Sequence, residues 1–456
     1  MSRRVAFLLL IVGLLTAGER PHKGFIERLY KQAQEKHQAY DLLRELTSQY
    51  PHRLSGSPDA EGAVQWARKS MEALGFDKVY LQEVMVPHWV RGEAESCFMV
   101  DPRGRREKLS VLALGRSVAT AEQGISAPLV VVDDVEDIKN MSAGDVKGKI
   151  VFYNAAFPDT FVQTMYGYRT AVMKRVAGAS EAARKGAVAV VIRSVTTARD
   201  DYPHTGSLVY ARDVPKIPAA ALGYQSADRL YRAWQKEPDT RLFLKINSKT
   251  YADKKSYNVI GEIRGSEHPE KIIVIGGHLD AWDVGEGAQD DGAGIVHSIM
   301  AAALLRQAGY KPRNTLRVVC FMNEENGLRG GKKYAETAAG EKQYHIAAIE
   351  TDAGGFTPRG FGISGKGRQL ETMKLWLKYF PPFTISEIRD GGGGADIGPL
   401  GKAMGTTLIG LIPDSQRYFD FHHSDRDLFE AVNRRELELG TASLSALLYL
   451  IDSLGL

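Results

Sequence analysis

The feature that most constrains the fold is an alternation of short apolar segments with helical ones from about residue 246 onward. Ile272–Ile275 and Leu316–Met322 are continuous apolar runs that predict buried strands, and Ile346–Ile349 predicts another. Between the first two, Ala293–Gln307 has the composition of a helix. Buried strands separated by helices are typical of a parallel sheet covered by helices. We therefore predict an α/β fold with a mostly parallel central sheet, and functional residues at the carboxyl ends of its strands.

Residues 118–245 have a different pattern, in which short strands such as Lys149–Tyr153 and Ala187–Ile192 predominate. These elements predict a self-contained, β-rich domain inserted at a surface loop. The segments GKIVFYN, ARKGAVAVVI and KIPAAAL resemble the protease-associated domain, which usually accompanies exported peptidases and has no catalytic residues of its own. Residues 21–117 and 246–456 then form one discontinuous catalytic domain.

The N-terminus has the pattern of a secretory signal. Arg3 and Arg4 precede the apolar run Val5–Leu15, and small residues follow at 16–18. The run is too short to span a hydrocarbon core of ~30 Å comfortably. We predict a signal peptide at residues 1–18, a secreted, periplasmic or lumenal location, and no stable membrane insertion after its removal. An uncleaved anchor is the alternative.

Composition excludes several classes of protein. The 456 residues are 44% hydrophobic and 25% charged, as in ordinary globular domains. The net charge is only +4, and no basic stripe carries interleaved aromatic residues, so nucleic acid is not an expected partner. Two cysteines, Cys97 and Cys320, cannot form a disulfide framework.

Acidic and histidine residues follow the predicted strands or begin the helix after them, and a further group lies near the C-terminus. Each group alone would be an ordinary cap, turn or surface pair. Together they predict one site, because strand ends of a parallel sheet meet at one edge. The groups are His278 with Asp280, Asp290 with Asp291, Glu324 with Glu325, Glu350 with Asp352, and His422 with His423.

Histidine nitrogens combined with carboxylate oxygens suit Zn²⁺, with Co²⁺ or Mn²⁺ as substitutes. Three ligand carboxylates and a bridging hydroxide would balance the charge of two divalent cations. A single cation would leave excess negative charge buried among like carboxylates, which is unfavourable. The residue types therefore favour two metal ions per chain.

The chain resembles the family-28 di-zinc metallopeptidases in GGHLDAWDVGEGAQDDGAG, NEENG, ETDAGG, GGGADIGPL and YFDFHHSDRD. The stretches HRLSGSP and VPHWVRGE add weaker support, and the resemblance covers nearly all of the chain after the signal. It implies an α/β/α fold of the di-zinc aminopeptidase type with the inserted protease-associated domain. It also implies a homodimer.

The resemblance further implies a role for each site residue. Asp290 bridges both metals; His278 and Asp352 complete one site, and Glu325 and His423 the other. His423 is preferred to His422 because the family's last ligand precedes a small hydroxyl residue, here Ser424. Glu324 is the general base, and Asp280 orients the His278 ring. The Asp290–Asp291 peptide bond is expected to be cis.

These expectations describe an exported metalloexopeptidase that cleaves dipeptides or short peptides as a carboxypeptidase or dipeptidase. An aminopeptidase using the same metals is the alternative, and Arg389, Arg417 and Arg426 are candidate partners for a substrate carboxylate. A receptor-like protein that keeps the architecture without catalysis is a remote alternative. Loss of ligands would mark that case, and all five ligand positions are filled.

Overall fold

The computed structural model describes residues 21–365 and 367–456, so the predicted signal peptide, residues 1–18, lies outside the described residues. The strands are β1 (Lys78–Val90), β2 (Ser96–Val100), β3 (Arg106–Leu109), β4 (Val111–Ala113), β5 (Ile125–Val132), β6 (Ile150–Tyr153), β7 (Ala189–Arg193), β8 (Ala219–Leu222), β9 (Arg241–Lys245), β10 (Lys249–Ile263), β11 (His268–His278), β12 (Asn314–Phe321), β13 (Tyr344–Glu350), β14 (Pro358–Ser364), β15 (Glu387–Asp390) and β16 (Thr407–Pro413).

The helices surround these strands. They are α1 (residues 21–36), α2 (Gln38–Gln49), α3 (Pro58–Ala73), α4 (Val135–Asn140), α5 (Ala143–Val146), α6 (Thr164–Ala171), α7 (Met173–Val176), α8 (Gly178–Arg184), α9 (Tyr224–Lys236), α10 (Ala293–Gln307), α11 (Arg329–Gly340), α12 (Gly367–Lys374), α13 (Gly398–Met404), α14 (Tyr418–Phe421) and α15 (Arg434–Leu454). An irregular turn, Ala288–Gly292, precedes α10, and its residues Asp290 and Asp291 have non-helical backbone angles.

The first sheet has the order β1-β10-β12-β11-β13-β16-β14-β15. Its four central strands, β12, β11, β13 and β16, are parallel, as the alternation of strands and helices predicts. The register aligns His278 with Phe321, and Gly276 with Glu350. The residues that follow β11, β12 and β13 therefore emerge at the same edge of the sheet.

Helix boundaries follow local sequence signals. Helix α3 begins after Ser57, whose hydroxyl accepts a hydrogen bond from the N–H of Ala60 at 3.0 Å, and Pro58 occupies the first helical position. Residues 21–49 form two helices, α1 and α2, because His37 adopts a left-handed conformation with φ of 53° and separates them.

Helices α10 and α15 lie in the core of this unit. Almost every residue of α10 is buried, which its small and aliphatic composition permits. Among the described residues, α15 has the length and hydropathy of a membrane span, but 83% of its apolar window is buried inside the molecule. It contacts α10 along its length and serves as a core helix of this fold.

The second sheet contains the predicted insert. Its order is β3-β2-β9-β5-β6-β7-β8-β4, with β5 to β8 parallel. The predicted start at residue 118 falls inside this unit, because β2 pairs with β9 and β4 pairs with β8. The chain leaves the first sheet at Val90 and returns at Lys249, and these two residues are paired in the β1–β10 ladder.

Candidate metal centre

The carboxylate of Asp290 lies between two histidines. Its Oδ1 is 3.2 Å from Nε2 of His278, at the end of β11. Its Oδ2 is 3.2 Å from Nε2 of His423, which follows α14. Asp290 itself lies in the irregular turn before α10, so three separate segments converge on one carboxylate.

Each histidine also faces a carboxylate of its own. Nε2 of His278 is 3.5 Å from Oδ1 of Asp352, which follows β13. Nε2 of His423 is 3.0 Å from Oε2 of Glu325, which follows β12. The structure thus brings all five predicted ligands together, in two groups that share Asp290.

The far side of each imidazole ring faces a backbone carbonyl. Nδ1 of His278 donates to the carbonyl of Asp280 at 2.8 Å, and Nδ1 of His423 donates to the carbonyl of Thr205 at 3.4 Å. Because a carbonyl only accepts, the proton of each ring is placed on Nδ1. A metal ion that displaces any proton on Nε2 can then bind the Nε2 lone pair.

The electrostatics of the centre favour cations. Burial alone would lower the pKa of His278, but the carboxylates of Asp352 and Asp290 outweigh it and raise that pKa well above its usual value. Burial likewise opposes the charged form of His423, yet Glu325 and Asp290 raise its pKa to about 9. Burial among like charges raises the pKa of Glu325 to about 7. Such carboxylates gain most from a neighbouring cation.

The donor set fits divalent zinc. Nitrogen and carboxylate oxygen atoms from His278, Asp290 and Asp352 lie within 4.8 Å of one another, as do those from Asp290, His422 and His423. Oε1 of Glu325 is buried and has no hydrogen-bond partner among the described residues. A metal ion would satisfy that oxygen, and the mixture of histidine and carboxylate ligands is typical of zinc.

His422 stacks on His423, with ring centroids 3.5 Å apart. Its Nε2 is 3.6 Å from Oδ2 of Asp290, farther than the Nε2 of His423. Burial and the neighbouring charge of His423 keep the pKa of His422 well below its usual value. His422 is therefore a neutral ring stacked on His423, and the shorter distance from Nε2 of His423 to Asp290 favours His423 as the candidate ligand.

Glu324 lines the cleft in front of Asp290. Burial, together with the carboxylates of Asp352 and Glu325, raises the pKa of Glu324 well above its usual value. A carboxylate with a raised pKa holds a proton more readily near neutrality, which suits general acid–base chemistry. The backbone N–H of Glu324 donates to Oδ1 of Asp280 at 3.0 Å.

Asp280 orients the His278 ring through its main chain. Its carboxylate oxygen is 4.0 Å from Nδ1 of His278, whereas its backbone carbonyl accepts from that nitrogen at 2.8 Å. The carboxylate instead accepts the N–H groups of Asn323 and Glu324, at 2.7 and 3.0 Å. Asp280 thereby links the ends of β11 and β12.

Asp291 fixes the turn that presents Asp290. The Asp290–Asp291 peptide bond is cis, as the family resemblance implies. The Asp291 carboxylate accepts the N–H of His278 at 3.0 Å and the N–H of Gly294 at 2.9 Å. A Cβ atom at Gly294 would lie 2.0 Å from the carbonyl oxygen of Thr351, so glycine is required at this close approach.

Arg53 and Asp427 support the same turn, a role that the sequence did not reveal. The Arg53 guanidinium donates to the carbonyls of Leu279, Glu286 and Gly287 at 2.6–2.8 Å. The Asp427 carboxylate accepts the N–H groups of Gln289 and Asp290 at 2.7 and 3.1 Å. Arg53 belongs to the HRLSGSP stretch and Asp427 to YFDFHHSDRD, so their presence in shared motifs was the available signal.

The insert contacts the metal centre directly. The N–H of Thr205 donates to the carbonyl of His423 at 2.9 Å, and Nδ1 of His204 donates to the carbonyl of His422 at 2.6 Å. Arg175, on α7, places Nη1 3.3 Å from Nδ1 of His423. These contacts have no local sequence signal, because they depend on docking between two units.

A cleft of about 420 Å³ opens over the centre. The insert supplies part of its wall. The unit built on the first sheet supplies Asp290, Glu324, Glu325, Asp352 and both histidines of the 422–423 pair. Arg417 and Arg426 lie elsewhere and have carboxylate partners, Glu436 and Asp200. Arg389 lines a neighbouring cavity together with residues 391–394.

Comparison with known proteins gives matches for both units of the chain. A family model described as peptidase family M28 matches residues 258–441, and a PA domain model matches residues 118–230. Carboxypeptidase Q of Bos taurus is 34% identical over 426 residues, which cover 93% of this chain and 87% of that protein. Human carboxypeptidase Q is 35% identical over 93% of this chain and 86% of its own length.

Solved structures show the same fold. A peptidase M28 precursor from Shewanella amazonensis has a TM-score of 0.91 and 33% identity, covering 95% of this chain and 97% of its own. A zinc aminopeptidase from Bacillus subtilis has a TM-score of 0.65 at 20% identity, covering 90% and 94% of the two chains. The second likeness concerns the fold alone.

Proposed function

The chain belongs to peptidase family M28 and is a metallopeptidase with an inserted PA domain, and on that premise we propose that it is an exported di-zinc exopeptidase. It would hydrolyse dipeptides or short peptides as a carboxypeptidase or dipeptidase. Carboxypeptidase Q, the name of its curated relatives, supports that substrate class. Export rests on the signal-like residues 1–18.

The observation that carries this proposal is the position of Asp290 between two histidines, each with a second carboxylate. His278 and Asp352 would bind one ion, and Glu325 and His423 the other, with Asp290 contributing an oxygen to each. When bound, two zinc ions supply Lewis acidity toward water and toward the scissile carbonyl. The filled ligand set argues against a receptor-like protein without catalysis.

The protein's own residues provide proton transfer. The Glu324 carboxylate lines the cleft next to Asp352 and Asp290, where it would take a proton from the attacking water. It would then deliver that proton to the nitrogen of the leaving amine. Hydrogen bonds from the N–H groups of Asn323 and Glu324 to Asp280 fix the backbone that carries this side chain.

An aminopeptidase is the second candidate function. Glu324 and Asp352 are partly exposed to the cleft, and their carboxylates could bind the α-ammonium group of a substrate. The two functions differ in the substrate terminus that must be free. Both require the same metal centre.

The test combines metal analysis with blocked dipeptides. We expect about two zinc ions per chain in metal-replete protein, loss of hydrolysis with a chelator, and recovery on adding zinc. Asp290→Ala should lose metal, because both ions share this carboxylate. A metal-replete protein that contains no zinc and hydrolyses no dipeptide would overturn the proposal.

A further inference from the structure

Arg175 is a buried cation from the insert that lines the cleft over the metal centre. It lies on α7 and is 6% exposed. Its guanidinium packs against the Tyr168 ring, with the central carbon 5.4 Å from the ring centroid. The position is therefore built into the fold and is unlike that of a mobile surface arginine.

The hydrogen bonds of Arg175 leave its charge poorly compensated. Nη2 donates to the hydroxyl of Tyr168 at 2.6 Å, and Nη1 reaches the carbonyl of Thr205 only at 3.5 Å. Nε is buried and has no partner among the described residues. No ion pair between Arg175 and a carboxylate occurs within residues 21–365 and 367–456.

Other buried arginines have the partners that Arg175 lacks. Arg91, Arg193 and Arg317 each have a carboxylate within 2.6–2.7 Å, from Asp283, Asp228 and Glu262 respectively. Arg53 has no such carboxylate, but it donates to three backbone carbonyls at 2.6–2.8 Å. Burying a guanidinium without such a partner is costly, and the cost falls when an anion binds. Arg175 thus lacks the hydrogen-bond acceptors and the negative charge that an anionic ligand would provide.

Metal binding at His423 would leave Arg175 with one hydrogen-bond acceptor fewer. Nη1 of Arg175 is 3.3 Å from Nδ1 of His423. With Nε2 given to a metal, Nδ1 carries the proton and cannot accept from Arg175. The segment around Gly206 fixes this arrangement, since a Cβ there would lie 2.5 Å from Nη1 of Arg175. Nη1 of Arg175 is then left with only the long contact to the carbonyl of Thr205, at 3.5 Å.

We propose that Arg175 is the specificity-determining residue that binds the free terminal carboxylate of the substrate. This inference rests on the proposed function, because the ligand is the peptide hydrolysed at the same centre. Arginine binds carboxylates through paired, charge-assisted hydrogen bonds. Tyr168 orients the guanidinium, and Arg116, which is exposed and lines the same cleft, adds a second positive charge.

It follows that the two units have different roles, one in hydrolysis and the other in binding the substrate terminus. The unit built on the first sheet carries the proposed metal ligands and Glu324, and the insert binds the terminal carboxylate of the peptide. A carboxylate receptor beside His423 places the free C-terminus close to the metals, which selects the last peptide bond of a chain or the bond of a dipeptide. The aminopeptidase alternative requires no such receptor.

The test compares a free carboxylate with its amide. We would measure kcat/KM for one dipeptide and for the same dipeptide with an amidated C-terminus, in wild type and in Arg175→Gln. The free acid should lose about 10- to 100-fold in kcat/KM, the size of a lost charge-assisted hydrogen bond, while the amide changes little. Arg184→Gln is the matched control, because Arg184 lies on α8 of the same insert and pairs with the exposed Asp213.

Metal content separates binding from a structural role. If Arg175 served only to position His423, the variant would lose zinc and would lose acid and amide substrates to the same extent, which would overturn the proposal. Should Arg175→Gln fail to fold, Arg175→Lys keeps the charge without the paired hydrogen bonds and should retain an intermediate preference for the acid. An unchanged preference in both variants would also overturn it.

Calorimetric titration of the purified, full-length protein gives a readout without turnover. N-acetylalanine should bind wild type at least about 10-fold more tightly than N-acetylalanine amide, and Arg175→Gln should bind both equally weakly. Equal affinity in wild type would overturn the role of Arg175. A wild-type protein that shows this selectivity but hydrolyses no peptide would contradict the proposed function instead.

Discussion

Thr205 and His423 form a reciprocal pair of hydrogen bonds. The Thr205 N–H donates to the His423 carbonyl at 2.9 Å, and the Thr205 carbonyl accepts from Nδ1 of His423 at 3.4 Å. One residue of the insert therefore fixes both the backbone and the ring of a proposed ligand. Partners that orient a metal-binding histidine commonly affect metal affinity by about 10–100-fold.

The adjacent histidines 422 and 423 allow a matched test of the ligand assignment. His423→Ala should lose about one of two bound zinc ions, because its Nε2 faces Asp290 and Glu325 at 3.2 and 3.0 Å. His422→Ala should retain both ions, because its Nε2 is farther from Asp290. The zinc content per chain after dialysis, measured by mass spectrometry, distinguishes the two ligand assignments. Loss of zinc in His422→Ala alone would reverse the assignment.

The helices and strands that carry the site follow from local patterns. Helix α10 has the predicted bounds Ala293–Gln307, and its mostly small and aliphatic residues are buried on nearly all sides. The break at His37 could not be predicted, since its flanking segments have the composition of one helix. Strand β4 pairs with β8, about a hundred residues later, and such pairing leaves no mark in a short segment.

The site likewise contains residues that short sequence motifs predict and residues that they do not. The resemblance in short motifs brought together His278, Asp290, Glu325, Asp352 and His423, and the structure places them within one centre. The motifs give no information about Arg175 or Thr205. Those residues reach His423 only because the insert docks on the other unit, and docking is determined by the whole of both surfaces.

Glu324→Gln should keep its zinc and lose turnover. The amide keeps the size of the side chain but cannot accept a proton, so kcat should fall by about 10²–10⁴-fold. Glu336→Gln is the control, since Glu336 is exposed on α11 and pairs with Lys333. Steady-state kinetics and zinc analysis of the same preparation are required. Near-normal kcat in Glu324→Gln would remove it from the role of general base.

Asp280 can be tested by comparing an amide with a methyl group. Asp280→Asn retains an oxygen that can accept the N–H groups of Asn323 and Glu324, whereas Asp280→Ala retains none. We expect Asp280→Ala to lower kcat by about 10-fold or more and Asp280→Asn to have the smaller effect. Equal losses would show that the negative charge near His278, and not the acceptor, is what matters.

Titration of Glu438 should make the free energy of unfolding depend on pH, independently of the metal centre. Burial raises the pKa of Glu438 to about 7, and Asp41 adds to the shift, while the N–H of Tyr40 and the charge of Arg434 oppose it. Because the folded pKa lies above the unfolded value, the stability associated with this group is fully present below about pH 4.5 and is lost as the pH rises through 7.

Glu438→Gln should remove that loss. Relative to wild type, its free energy of unfolding should be higher at pH 8 than at pH 5 by on the order of 2 kcal/mol. Urea unfolding at both pH values measures the difference. Glu430→Gln, at an exposed position before α15, is the control. The same stability change at both pH values would mean that Glu438 does not titrate between them.

The pairing of Val90 with Lys249 has a consequence for how such a molecule can arise. Residues 91–248, which carry the whole second sheet, leave and return at neighbouring positions on two hydrogen-bonded strands, so an ancestor with a short hairpin there could have acquired that sheet in one genetic event. The parent sheet would have kept its register. Deleting the segment between these strands would also remove Thr205, and a proposed ligand, His423, would lose the partner that orients its ring.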